Sequence, residues 1–221
     1  MYPLTPLGRC CSLIFFLFIN GLSLQAQERP YFQQSVNYTI KATLDDQKHQ
    51  LEGDWKLEYT NQSPDTLSFI YLHLWANAYQ DRQTAFANQL LDMGRLDFHF
   101  ARADKLGGMV EQSFDWKVDG QTTTVTLDTE HKEIIKLELS QPLLPGATTT
   151  LTTPYLLQLP GNFSRLAHIE QSYYVCQWYP KPAVYDREGW HPMPYLSNGE
   201  FYSEFGNYEV TLTLPANYVV G

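Results

Sequence analysis

Apolar and polar residues alternate along much of this chain, and this period of two most constrains its fold. The apolar residues of segment 50–59 fall on one face: Leu51, Trp55, Leu57 and Tyr59. Successive side chains of a β-strand point to opposite faces, so the pattern predicts a half-buried strand. Segments 114–127 and 207–215 show the same alternation, which indicates a mostly β protein.

Residues 36–75 predict three consecutive strands. Turn-forming residues at 61–65 separate segment 50–59 from the apolar run 67–75, which is typical of a strand buried on both faces. With the alternating residues that begin at Val36, these segments predict a three-stranded meander over 36–75.

One helix and two hairpins follow. In segment 84–93, Phe86, Leu90 and Leu91 recur at helical spacing, which predicts a short helix against the sheet edge. The dipeptide Asp119-Gly120 favours a tight type I′ turn, because both central residues need positive φ. Segments 134–139 and 147–157 flank a rigid Pro and Gly turn at 142–146 and predict a second hairpin.

The C-terminal third changes character. Five prolines lie among aromatic residues between 160 and 205, which favours a long, stiff, irregular connection. The last predicted strand, 207–215, should point Tyr208, Val210, Leu212 and Leu214 inward. It has no closing partner after it, so we expect an incomplete antiparallel β-sheet or sandwich with one short helix.

Residues 1–26 have the features of a secretory signal peptide. Arg9 precedes an apolar run over 11–19, and small and polar residues continue to Ala26. We therefore expect an exported protein, periplasmic, cell-surface or extracellular, cleaved near Ala26 and without a transmembrane segment afterwards. An uncleaved N-terminal anchor is the alternative. The expected domain organisation is a signal peptide at 1–26 and one β-domain at 27–221.

Charge excludes one class of partner. The whole chain carries a formal charge of −9, and Arg9 is the leader's only charged residue, so the mature protein would carry −10. An acidic protein of this kind is not expected to bind nucleic acid.

Catalytic motifs are missing from the sequence. No His-Glu-x-x-His spacing occurs, and the six histidines are scattered, so we expect no metal ligands and no catalytic residues here. We interpret Cys176 as a small buried apolar residue and Asp186, Glu188 and His191 as a solvated turn. Segment 107–111, Gly-Gly-Met-Val-Glu, partly matches the substrate-binding element Gly-x-Met-Glu-Asn. We interpret the match as chance and the segment as a flexible connection.

The densest cluster of aromatic and polar side chains lies at 177–206. It includes Gln177-Trp-Tyr-Pro-Lys-Pro-Ala-Val-Tyr-Asp186 and two Gly-led aromatic runs at 189–195 and 199–206. Composition favours an aromatic minicore under a long loop. The functional interpretation is a pocket wall, in which Gln177 offers both a donor and an acceptor beside stiff rings.

Several segments resemble, in order, the N-terminal domain of M1-family zinc metallopeptidases of the aminopeptidase N type, bacterial branch. They are Pro142–Gly146, Phe163–Arg165, Gln177–Asp186, Gly189–His191 and Gly199–Gly206. The resemblance begins near residue 32, includes the opening strands with His73–Tyr79, and is most specific at 177–206.

The resemblance implies a saddle-like β-domain that covers one side of the active-site cleft of a following catalytic domain. Gln177 matches a motif glutamine that reaches toward the amino end of a peptide substrate, with Trp178 and Tyr179 beside it. Zinc and the catalytic groups belong to the full-length family enzyme, beyond Gly221. The chain's partners would then be that catalytic domain and peptides.

Two other functions remain open. A free-standing carbohydrate- or protein-binding β-sandwich would present exposed rings such as Trp178 and Trp190 on a coplanar platform. A structural exported domain would have no ligand. The unpaired edge after Leu214 favours the peptidase interpretation, because complete domains usually cover such edges.

Overall fold

The computed structural model describes residues 30–221, and this region is mostly β with one α-helix, which confirms the predicted fold class. The leader predicted at 1–26 lies outside the described residues. The strands are β1 (Ser35–Asp45), β2 (Gln50–Thr60), β3 (Leu67–His73), β4 (Gly108–Met109), β5 (Lys117–Val118), β6 (Gln121–Thr122), β7 (Val125–Leu127), β8 (Ile134–Leu143), β9 (Thr148–Gln158), β10 (Leu166–Ile169), β11 (Ser172–Val175), β12 (Lys181–Pro182), β13 (Val184–Asp186), β14 (Gly189–His191) and β15 (Gly206–Thr213). The helix α1 spans Ala85–Asp92, and 3₁₀ turns lie at Trp75–Tyr79, Ala103–Lys105 and Glu111–Ser113.

The larger sheet has the strand order β15-β1-β2-β9-β5-β6, with β4 also paired to β9. Its ladders are antiparallel except for β1 and β15, which run parallel. The four apolar residues of segment 50–59 are all buried on one face of β2, as the alternation predicts. The opposite face carries exposed polar side chains such as Glu52 and Asp54, so this sheet has one core side and one solvent side.

A smaller sheet, β12-β3-β8-β7, completes the core and contradicts two predictions. The meander over 36–75 is wrong, because β3 pairs with β8 and not with β2. The hairpin between β8 and β9 is also wrong, because β9 belongs to the larger sheet. Strand β3 is also shorter than predicted, ends at His73, and leaves Ser68 exposed.

The connection from β2 to β3 and the connection from β8 to β9 each join the two sheets, and they meet at Asn61. The Asn61 backbone N–H donates to Ala147 O (2.9 Å), and the Gly146 N–H donates to Asn61 O (2.7 Å). The Asn61 side chain donates to Leu143 O (3.0 Å) and Asp65 O (2.7 Å). A period of two assigns faces but not partners, so these buried hydrogen bonds, absent from the pattern, decide which strands pair.

The helix and the tight hairpin confirm their predictions. In α1, Thr84 Oγ1 accepts from the Ala87 N–H (3.2 Å), while Phe86 and Leu90 are buried. Between β5 and β6, φ is 49° at Asp119 and 80° at Gly120, as a type I′ turn requires.

Two loop predictions need correction. The glycines at 107 and 108 are buried, and a Cβ on Gly107 would lie 2.5 Å from Gln158 O, so they permit close packing rather than flexibility. Region 160–205 is not purely irregular, because β10 with β11 and β13 with β14 form small hairpins.

The two sheets share one apolar core. It joins Ile40, Trp55 and Leu57 of the larger sheet to Ile70 and Leu137 of the smaller one. Burial of this many large side chains is the main stabilising term for such a domain. Within residues 30–221, no helix is both long and apolar enough to cross a membrane.

Candidate functional site

The predicted site residues Gln177, Trp178 and Tyr179 lie in the loop between β11 and β12. Strand β12 anchors this loop to the smaller sheet, because Lys181 pairs with His73 of β3. Gln177 has a φ of 56°, an uncommon conformation for a residue other than glycine. Non-glycine residues in this region often lie at functional sites, where the surrounding structure holds them.

Lys181 fixes the orientation of the Gln177 amide. Its Nζ donates a hydrogen bond to Gln177 Oε1. An ammonium group has no acceptor, so the amide must turn its oxygen toward Lys181. The Nε2 group of Gln177 is then the donor that the side chain can offer to a ligand.

The Lys181 ammonium lies over two aromatic rings. Nζ is 4.9 Å from the ring centre of Tyr179 and 5.3 Å from that of Trp75. Burial lowers the pKa of Lys181 to about 8, against an opposing effect of Cys176. The group therefore keeps most of its positive charge at neutral pH.

Below this layer, His73 is neutral and structural. Its ring stacks on Trp75 at 4.5 Å, and its Nε2 accepts from the Met193 N–H (2.9 Å). Burial, followed by the charge of Lys181, lowers the pKa of His73 to about 3. Sequence reasoning did not identify Lys181 as part of the site; its position as the only charged residue in segment 176–185 was the available signal.

Trp178 and Tyr179 connect the loop to the larger sheet. Trp178 contacts Tyr179 edge to face at 5.5 Å and lies 6.1 Å from Tyr155. The Tyr179 ring lies 5.5 Å from Tyr38 of β1 and 6.0 Å from Tyr208 of β15. Burial, then its hydrogen bond to Tyr208, raises the pKa of Tyr179, so the phenol stays neutral.

An uncovered apolar row begins beside these rings. By register, Tyr208, Val210 and Leu212 of β15 lie on the same sheet face as the buried residues of β1. Tyr208 stacks on Tyr38 at 4.6 Å, yet the three side chains are 48%, 46% and 43% exposed. The predicted face is correct, but the predicted burial is wrong for these three residues, whereas Leu214 is half-buried and packs against the core.

Two other interpretations from the sequence concern Cys176 and the turn at Asp186. Cys176 is exposed, so its interpretation as buried is wrong; it continues the exposed face of β11 after Ser172 and Tyr174. Asp186 Oδ1 lies 2.8 Å from His191 Nε2 and accepts from the Glu188 N–H (2.8 Å), a local turn.

The rings of Trp178 and Trp190 do not form one platform. Trp190 packs against Phe69, Tyr71 and Tyr185, away from the contacts of Trp178. In the described part of the chain no ring contact links the two tryptophans.

Comparisons with known proteins give weak matches. No family model matches the chain, and no curated protein matches it. An M1 zinc metallopeptidase from Deinococcus radiodurans, a mutant bound to a Tyr-Ser-Ala substrate, is 15% identical with a TM-score of 0.41; the match covers 85% of this chain and 33% of that one. A two-domain M1 zinc metallopeptidase bound to L-arginine is 14% identical with a TM-score of 0.40; there the match covers 86% of this chain and 34% of that one.

The chain therefore spans about a third of the length of these solved relatives. A likeness of this size carries no functional argument.

Proposed function

We propose that this chain is the N-terminal, non-catalytic part of an exported zinc-dependent M1 metallopeptidase. It forms one wall of the substrate cleft and contacts the amino-terminal residue of a peptide through Gln177, with Trp178 and Tyr179 beside it. A catalytic domain of the same protein packs against the wall.

The observation that carries the proposal is the uncovered apolar row beside the loop that holds Gln177. Tyr208, Val210 and Leu212 continue the core face of the larger sheet into solvent. An exposed apolar row of this kind is typical of a surface that another domain covers. A second domain on this row would place its own surface next to Gln177 and Tyr179.

The contact between Lys181 and Gln177 indicates what Gln177 binds. Because the Gln177 oxygen faces Lys181, the free Nε2 suits the carbonyl oxygen of the terminal residue. The Lys181 charge disfavours a second ammonium at this point. The free amino group itself would be held by carboxylates elsewhere in the complete enzyme.

Zinc has no fitting site in the described residues. Within 30–221 no three side chains of the His, Cys, Asp and Glu types come together in a way that could hold a metal ion. A catalytic zinc site needs three protein ligands. The metal would be held by another part of the protein, and this chain contributes shape and contacts.

The decisive test is to sequence the encoding DNA past the codon for Gly221 and assay the complete product on amino-acid anilides, with and without a chelator. We expect a frame that continues into His-Glu-x-x-His and an activity that chelation abolishes. A frame that stops at Gly221, with a product that binds glycans, refutes the proposal.

A matched pair of variants tests Gln177 in the same assay. Gln177→Ala should lower kcat/KM about tenfold or more, the typical effect of losing a hydrogen bond to a bound ligand. Gln121→Ala, on the exposed strand β6, is the control and should leave kcat/KM unchanged.

Export has its own readout. The mature N-terminus, measured by mass spectrometry of the fractionated protein, should lie near Gln27. Recovery of an intact leader in the cytoplasm contradicts this part of the proposal.

A further inference from the structure

A cavity lies away from the Gln177 loop. It has a volume of about 350 Å³ and lies between the segment that precedes β1 and the segment that precedes β15. Neither Gln177, Trp178 nor Tyr179 lines it. The volume falls in the range of small-ligand sites.

Four aromatic rings line this cavity: Tyr31, Phe32, Tyr202 and Phe205. Two of them are strongly exposed, Tyr31 at 87% and Phe205 at 85%. The face of an aromatic ring is the negative part of its quadrupole and attracts organic cations.

Acidic and hydroxyl groups supply acceptors between the rings. Glu204 lines the cavity, is only 8% exposed, and its Oε1 has no hydrogen-bond partner among the described residues. The Ser203 Oγ is likewise buried and unpartnered. An unpartnered buried acceptor is costly, so an acidic side chain of this kind in the wall of a cavity favours a ligand that donates.

The lining residues include more acidic than basic side chains, which favours a positively charged ligand. Among the described lining residues, Asp186 and Glu204 are acidic and Arg187, which is exposed, is basic. Asp186 is held in place by His191 Nε2 (2.8 Å) and by the Tyr202 hydroxyl, which donates to Oδ2 (3.1 Å).

We propose that this cavity binds a primary alkylammonium group, supplied by a lysine side chain or by a free amine. The carboxylates of Glu204 and Asp186 supply acceptors for its N–H donors, while the rings enclose the alkyl chain. The site goes beyond the peptidase role and does not depend on it.

The affinity should rise with pH. Burial raises the pKa of Glu204 to about 7, although hydrogen bonds from Gln33, Gln34 and Tyr185 oppose this. Glu204 therefore gains its charge as the pH rises from about 6 to about 8, while an alkylamine stays protonated.

Asp186, Tyr202 and Arg187, which line the cavity beside Glu204, keep their state in this range. Burial alone would raise the pKa of Asp186, but hydrogen bonds from His191, Glu188 and Tyr202 lower it. The carboxylate stays ionised. Burial raises the pKa values of three tyrosines around Glu204, and these phenols stay neutral: Tyr38, Tyr59 and Tyr202. Arg187 remains protonated.

The test is a titration of the ¹⁵N-labelled chain with n-butylamine hydrochloride, followed by backbone amide shifts, with 1-pentanol as the neutral control. We expect saturable shifts at Tyr31–Gln34 and Ser203–Phe205 with the ammonium alone, and tighter binding at about pH 8 than at about pH 6. Equal shifts with both probes, or none with the amine, overturn the proposal.

Variants locate the site. Glu204→Gln should weaken butylammonium about tenfold or more. Glu209→Gln, on the exposed polar face of β15, is the matched control and should leave affinity unchanged. Phe205→Ala removes an exposed ring without touching the core and should also weaken binding. Wild-type affinity in both cavity variants refutes the site.

N-acetyl-lysine amide, compared with N-acetyl-norleucine amide, distinguishes the two sources of the ammonium group. Preference for the lysine compound at the same amides assigns peptide side chains. Binding of n-butylamine without binding of the lysine compound assigns a small free amine.

Discussion

Glu204 should make the stability of this protein depend on pH in an unusual direction. Burial raises its folded-state pKa from the ordinary 4.5 to about 7. The folded state therefore keeps the proton longer than the unfolded chain does. As pH rises through about 4.5 the unfolded state loses its proton first, so the free energy of unfolding falls, and it levels off above about 7.

The magnitude follows from the two pKa values. A tenfold change in proton affinity corresponds to about 1.36 kcal/mol, so a rise of the pKa from 4.5 to about 7 is worth about 3 kcal/mol. Between about pH 5 and about pH 8, where part of the change is already complete at the lower end, the loss is about 2 to 3 kcal/mol. Because Glu204 is 8% exposed, little of this is screened by solvent.

Urea unfolding followed by tryptophan fluorescence measures the effect. Other groups also titrate, so the relevant quantity is the difference between wild type and Glu204→Gln at each pH. We expect the variant to gain about 2 to 3 kcal/mol relative to wild type between about pH 5 and about pH 8. Glu209→Gln, an exposed carboxylate, should show no such change. A wild-type minus Glu204→Gln difference that is independent of pH refutes the reasoning.

Three further predictions concern the loop, the uncovered row and the hairpin. Lys181 should titrate near pH 8 by NMR of its side chain, while exposed lysines titrate near about 10.4. Tyr208→Ser with Val210→Ser should cost less than about 1 kcal/mol in urea unfolding and reduce binding of an apolar dye, whereas Leu57→Ala in the core should cost about 2 to 5 kcal/mol. Gly120→Val should destabilise by about 1 kcal/mol or more, because φ there is 80°.

Much of the local structure could be predicted. The faces of β2, the Thr84 cap of α1 and the turn at Asp119-Gly120 follow from chemistry within a few residues of each position. The three site residues 177–179 could be named from their motif, and their role remains a prediction. The pairing of the strands could not be predicted. Asn61, where the chain passes from one sheet to the other, forms hydrogen bonds with residues far along the chain.

The candidate site shows the same division. The presence of Gln177 beside aromatic residues is a property of the sequence, but the direction in which its amide faces depends on Lys181. The Glu204 cavity had no sequence signal, because its walls come from segments before β1, around β13 and before β15.

By itself the sequence determined where the longer strands lie, which face of β2 is apolar, and where the tight turn at Asp119-Gly120 lies, because these depend on local sterics and on a period of two. The tertiary structure alone decided which strands pair, that Tyr208, Val210 and Leu212 remain uncovered, and that Lys181 and Glu204 have shifted pKa values. Burial and electrostatics depend on what the rest of the chain brings to a position, and that is set only when distant segments pack together.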